Sequence, residues 1–200
     1  MDEERIDYRG REEEIRKLKI QQEWETKWSI NYPNLTNTDI SLLPCEKQII
    51  EKVLACEGSA CLYGNEKRSG KTRLAFMLLK KHFMNGKRCD FYHALRLSSE
   101  ASQAARDCVT YEVVKKIVNN TDCILLDDIG KTKISESVGL FIYGIIDLSI
   151  VKNKIILVTT NFVAQELEDR FEDKDQAEAV IQRIREACQL FFVKKNNKNA

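Results

Sequence analysis

The sequence predicts an α/β protein with a parallel sheet covered by helices on both faces. Two observations carry that prediction: short apolar runs of strand type recur from residue 60 onward, and stretches with helical spacing separate them. Buried runs of four to eight apolar residues alternating with helices are the pattern of a sheet sandwiched between helical layers. A third observation narrows the class: Gly (8) and Pro (2) are scarce among 200 residues, which excludes collagenous and Pro/Gly-rich disordered chains. The length suits one compact domain with an appendage.

From Asp2 to about Trp28 charges of both signs are dense, Gly10 is the one breaker, and Ile15, Leu18, Ile20, Trp24 and Trp28 fall at helical spacings. This predicts an amphipathic helix. Asn31 to Asp39, rich in Asn, Thr, Pro and Asp, reads as an irregular connection closed by Leu42-Leu43-Pro44. Glu46 to Ala55, apolar at 49, 50, 53 and 54, reads as a short helix. Ala60 to Tyr63 is then a strand, Arg73 to Phe83 a helix, Arg88 to His93 a second strand, and Leu95 to Asn119 mostly helical. Cys123 to Leu126 is a third strand, Glu136 to Val151 a helix, and Ile155 to Thr159 a fourth strand. Helical stretches around 163–172 and 176–187 precede a fifth strand, Leu190 to Val193. The chain thus divides into a helical extension (1–30, a candidate partner-binding segment), a lead-in (31–58), a core (59–194) and a flexible tail (195–200).

Lys plus Arg (32) nearly cancels Asp plus Glu (31), so the net charge of +1 gives no broad electrostatic footprint for nucleic acid. Any such contact is local. The seven cysteines form no C-x-x-C pair and have no histidine pair nearby, which reads as reduced thiols rather than a zinc site. Cys61 and Cys123, inside apolar runs, read as buried small hydrophobes. With no signal-type apolar segment behind Met1 and no window approaching 18 apolar residues, the expectation is a cytoplasmic chain without membrane contact.

The segment from Gly64 to Thr72, Gly-Asn-Glu-Lys-Arg-Ser-Gly-Lys-Thr, lies between a strand and a helix, the context of a phosphate loop. Glycines let backbone wrap phosphate oxygens, and the following helix N-terminus presents free N–H groups. Lys71 would reach the terminal phosphates and Thr72 would ligate Mg²⁺. Gly64, Ser69, Gly70 and Arg73 complete the nucleotide-binding set. The nominal pattern has about four residues between its first Gly and Gly-Lys-Thr, whereas Asn65 to Ser69 make five, with Arg68 where a glycine is often found. If the extra residue bulges at the start of the loop, Ser69 to Thr72 hold phosphate normally; otherwise affinity is poor.

Four apolar residues followed by Asp127-Asp128 place two acids at a strand end, a cost that a cation offsets. Asp127 would hold the Mg²⁺ shell, and Asp128 would polarise the attacking water. Asn161 follows a buried strand, where it could touch the terminal phosphate or that water. Arg183 and Arg185, two apart on a helix, cannot share a face, so one can reach a neighbouring protomer.

Taken in order, Gly64 to Thr72, Leu125-Leu126-Asp127-Asp128-Ile129-Gly130-Lys131, Val158-Thr159-Thr160-Asn161 and Gln182-Arg183-Ile184-Arg185 resemble Walker A, Walker B, sensor 1 and the arginine-finger segment of DnaC/IstB-like AAA+ ATPases, from about Asn31 to Val193. The resemblance implies a P-loop NTPase of the AAA+ type with five parallel strands and no C-terminal lid. It also implies ATP and Mg²⁺ as ligands, Asp128, Asn161 and a trans-acting Arg183 as catalytic residues, and Thr72 with Asp127 as the metal pair. Asp-Asp follows the form common in this family rather than Asp-Glu, and the lengthened loop is the main departure.

Members load replicative helicases onto DNA or assist transposases. The implied partners are therefore a replicative helicase, single-stranded DNA near Lys115, Lys116, Lys131 and Lys133, and further copies of the chain. Trp24 and Trp28, one turn apart, either anchor such a partner or pack on the protein's own core. A small P-loop kinase would need an arginine-rich lid, and a GTPase an Asn-Lys-x-Asp motif that is absent. A nucleotide-insensitive adaptor would follow from a loop that no longer holds ATP.

Overall fold

A computed structural model describes residues 8–196; the expected helix start at 2–7 and the tail from 197 to 200 lie outside the described residues. Five strands, β1 (Ala60–Tyr63), β2 (Cys89–His93), β3 (Cys123–Ile129), β4 (Ile155–Thr160) and β5 (Gln189–Phe192), form one sheet in the order β2-β3-β4-β1-β5. All four pairings are parallel, with Cys61 opposite Val158 and Leu190, and Leu125 opposite Phe91 and Leu157. The helices are α1 (Tyr8–Glu23), α2 (Pro33–Thr36), α3 (Lys47–Ala55), α4 (Lys71–Met84), α5 (Ala94–Arg106), α6 (Thr110–Asn120), α7 (Glu136–Val151), α8 (Ala164–Glu168) and α9 (Lys174–Ala187).

Alternation along each strand feeds two cores. Ile124, Leu126, Ile156 and Val158 face a layer built from α5, α6, α7 and α9. Cys123, Leu125, Leu157, Leu62 and Phe191 face α3, α4 and the N-terminal segment. β1 is connected to β2 on the far side of the sheet, yet lies between β4 and β5. This reversal of direction opens a crevice beyond the carboxyl ends of β1, β3 and β4.

After α1 the chain widens into a π-helical stretch, Trp24–Ser29. Trp24 and Trp28 are both buried and stack with ring centroids 5.2 Å apart. Trp24 packs against Phe76 and Phe83 of α4 at 5.6 and 5.3 Å. The two tryptophans therefore belong to the protein's own core, and the partner-anchor alternative for them is withdrawn. The apolar residues that α1 leaves exposed are Ile15 and Leu18.

The stretch from Leu95 to Asn119, expected to be mostly helical, holds two helices, α5 and α6. The apolar spacing continues through the break, but Cys108 takes a left-handed conformation (φ 54°) and the Val109 N–H donates back to the Ala104 carbonyl at 2.9 Å. β3 runs three residues past Leu126, because the strand continues through the acidic pair with a register shift between Leu126 and Ile129. The first two tail residues are tied down: Lys195 bridges antiparallel to Cys45, and the Asn196 N–H donates to the Pro44 carbonyl at 2.7 Å.

Six of the seven cysteines are buried, and among the described residues all are free thiols. Burial pushes the Cys61 thiol up to about 12. Among the described residues no helix is long and apolar enough to cross a membrane.

Candidate nucleotide site

The loop between β1 and α4 turns through two glycines and one arginine with positive φ: Gly64 (143°), Arg68 (60°) and Gly70 (90°). A Cβ on Gly70 would lie 3.2 Å from the Pro44 ring, so the lead-in is packed directly against the loop. Arg68 occupies a left-handed position that costs a side-chain-bearing residue about 1–2 kcal/mol. The helix opens at Lys71, whose buried ammonium donates to the Gly64 carbonyl (2.9 Å), the Glu66 carbonyl (3.0 Å) and Ser69 Oγ (3.0 Å). Burial lowers the Lys71 pKa, opposed by Asp128 and Glu66.

Beside the loop stand the two acids of β3. Asp127 is buried, and its Oδ1 accepts from Thr159 Oγ1 at 2.6 Å, with the Thr72 hydroxyl near enough to favour its charged form. Burial raises its pKa, with the neighbouring Asp128 adding to the effect and the Thr159 bond opposing it. Asp128 sits at φ 59°, where the strand irregularity turns its side chain toward the groove. Its N–H donates to Thr159 Oγ1 (2.9 Å), so one hydroxyl from β4 ties both acids together. The Asp128 carboxylate accepts from Asn161 Nδ2 on Oδ1 (3.1 Å) and from Lys131 Nζ on Oδ2 (2.7 Å).

These groups surround an open groove of about 1330 Å³ lined by Ser69, Gly70, Lys71, Thr72, Arg73, Asp128 and Asn161 among others. The loop, the acidic pair and the strand-tip asparagine therefore come together as expected from their order in the chain, with Asp127 just beneath and the Gly64 carbonyl bonded to Lys71. Arg183 is not among them. On α9, its Nε pairs with Asp147 of α7 at 3.0 Å and its Nη1 with Glu186 at 2.7 Å. Lys115, Lys116 and Lys133 are exposed, whereas Lys131 is engaged by Asp128.

Sequence reasoning missed four contributors. Thr159 lies inside the quoted Thr-Thr-Asn run, and its bridging role depends on the irregularity in β3. Arg170 lines the groove, donates from Nε to the Gly130 carbonyl at 2.7 Å and covers Phe162 at 5.4 Å, with no motif to announce it. Leu35 and Pro44 bring the lead-in to the groove wall.

A family model described as IstB-like ATP binding protein matches residues 59–199. The chain belongs to this family. Comparison with curated proteins gave no match. Among solved structures, the IstB-like chain resembles DnaI at 19% identity (TM-score 0.61, covering 80% of this chain and 90% of that one). It resembles the DnaC helicase loader at 22% identity (TM-score 0.58, covering 74% and 86%). It also resembles AMPPCP-bound DnaA from Aquifex aeolicus at 19% identity (TM-score 0.58, covering 76% of this chain and 45% of that one). The chain thus spans under half the length of that DnaA structure. These likenesses show a shared fold, and the family match makes the chain a nucleotide-binding type.

Proposed function

We propose that this IstB-like protein binds ATP with Mg²⁺ in the groove, hydrolyses it slowly, and serves a replicative helicase on single-stranded DNA. The observation that carries the reading is the convergence of Lys71, Thr72, Asp128 and Asn161 from three strand ends onto one groove, with the buried Asp127 beside them. The buried Asp127 carboxylate, its pKa raised by burial beside the Thr72 hydroxyl, fits a divalent cation, which would relieve the desolvated charge. Thr72 and Asp127 would hold Mg²⁺, which when bound neutralises phosphate charge.

The chain's own residues supply the rest. Lys71 leaves its three loop oxygens for phosphate oxygens, and the N-terminus of α4 contributes free N–H groups. Asp128 is placed to take a proton from water once one of its two partners, Lys131 or Asn161, yields. Asn161 then orients that water or the terminal phosphate.

The helicase-loader reading draws support from the near-complete coverage of the DnaI and DnaC structures by this fold. Exposed Tyr111 with Lys115 5.9 Å over its ring, beside Lys116, offers a stacking and phosphate contact of the kind single-stranded DNA uses. The family match keeps a transposase-assisting role as the second reading. Titration with a fluorescent ATP analogue and Mg²⁺ tests the core claim. Wild type binds, and Lys71→Ala loses at least about tenfold in affinity, the cost of a charge-assisted contact. Wild type that fails to bind at millimolar nucleotide leaves the adaptor reading in place, and capture of helicase or transposase separates the two biologies.

A further inference from the structure

We propose that Glu66 is a positioning residue: it anchors the lengthened phosphate loop to a C-terminal strap, residues 193–196, and thereby sets the loop's grip on nucleotide. The second half of this statement rests on the nucleotide reading above.

The loop carries one residue more than the nominal pattern, and its first residues are held by the strap. Gly64 is pressed against the strap, since a Cβ there would meet the Val193 carbonyl oxygen at 2.8 Å. The Val193 N–H donates to the Tyr63 carbonyl at 2.8 Å. Two residues on, Glu66 Oε2 accepts the Lys195 N–H at 2.6 Å, tying the loop to the strap at that point. Lys195 pairs with Cys45, and Asn196 bonds Pro44, whose ring packs on Gly70 at the loop's far end. Strap, lead-in and loop therefore form a closed circuit in which the Glu66 side chain joins the loop to the strap by a hydrogen bond.

The same residue also controls Lys71, because the Glu66 carbonyl is one of the three acceptors of its ammonium. With residues 64–66 held by the strap, Ser69 to Thr72 keep the left-handed Gly70 and the helix start needed to wrap phosphate. Released, residues 65–68 would sample conformations in which the lysine and the helix N-terminus are no longer aligned on the groove.

The test compares the full chain with Glu66→Ala and Glu66→Gln, the latter keeping an acceptor without the charge. Amide hydrogen exchange without nucleotide is the first readout. Glu66→Ala speeds exchange in residues 64–70 and 193–196 by roughly tenfold, the scale of one charge-assisted hydrogen bond, and leaves the central strands unchanged. Fluorescent ATP binding with Mg²⁺ is the second: Kd rises about three- to tenfold in Glu66→Ala. Glu66→Gln brings both readouts back to within about twofold of wild type. Unchanged exchange in Glu66→Ala, or a Gln variant as impaired as Ala, overturns the anchorage. Faster exchange with unchanged Kd overturns the control of affinity. A wild type that binds no nucleotide sinks the nucleotide reading and the affinity claim with it, while exchange alone still decides the anchorage.

Discussion

Thr159 is a small residue with a large share in the site. Its hydroxyl donates to the buried Asp127 and accepts from the Asp128 N–H, so two adjacent acids that would repel each other are fixed in different directions. Asp128 in turn is spanned by Lys131 and Asn161. Gly70 is the residue on which the loop's shape depends most directly, because at φ 90° a side chain is strained and would also crowd Pro44. Gly70→Ala is expected to cost about 1–3 kcal/mol, which lowers the melting temperature by about 2–4 °C per kcal/mol in a chain of this size. It should weaken nucleotide binding as well; thermal unfolding and nucleotide titration check the two effects. The identities of Lys71, Thr72, Asp127, Asp128 and Asn161 were legible from spacing, because each follows a recognisable strand or opens a helix. Arg170 was not, because its contacts with Gly130 and Phe162 depend on how a loop some forty residues away folds back.

At the scale of elements, the sheet is pinned at the pole opposite the groove. Asp122, just ahead of β3, accepts from the Arg88 N–H (3.1 Å), Arg88 Nε (2.9 Å), Arg88 Nη2 (3.0 Å) and Lys154 Nζ (2.9 Å). It thereby joins the starts of β2, β3 and β4. The Arg88 guanidinium and the Lys154 ammonium hold its carboxyl well below the usual range, against a desolvation effect that raises it. A depressed carboxylate contributes stability that is present above the unfolded-state pKa, near 4, and lost as pH falls toward the folded value. Asp122→Asn is therefore expected to cost about 1–2 kcal/mol at neutral pH. The gap to wild type should hold from pH 7 down to about 4 and narrow only as melting curves are taken below that.

All five strands were legible as apolar runs. The α5–α6 break was not, since Asp107-Cys108-Val109 contains neither Gly nor Pro and the left-handed turn at Cys108 leaves no mark in the hydrophobic spacing. The length of β3 was hidden too, because two acids inside a strand are tolerated only through the irregularity that lets Thr159 serve both.

For the molecule as a whole, the question is what completes the groove. Arg183 stands off it, held by Asp147 and Glu186 between α7 and α9, and the trans-acting role that the family resemblance implies for it would require a second copy of the chain. Arg183→Ala is expected to leave nucleotide affinity within about twofold and stability little changed, as for partly exposed ion pairs. Hydrolysis stimulated by DNA or assembly should disappear; turnover equal to wild type would remove Arg183 from the mechanism. The tryptophan pair was ambiguous in the sequence for a physical reason, since an aromatic stripe looks the same whether it faces a partner or α4.

The placement of β1 also dictates an order of events as the chain folds. Its two neighbours come late: Ser59, just before β1, bonds Ile156 across 97 residues, and Glu66, just after it, reaches Lys195 across 129. β2, β3 and β4, by contrast, follow one another in the chain and sit side by side. Contacts between near neighbours close at lower entropic cost. The β2-β3-β4 unit can therefore assemble first, while β1 waits for both its flanks, and the phosphate loop is the last part of the fold to be held in place.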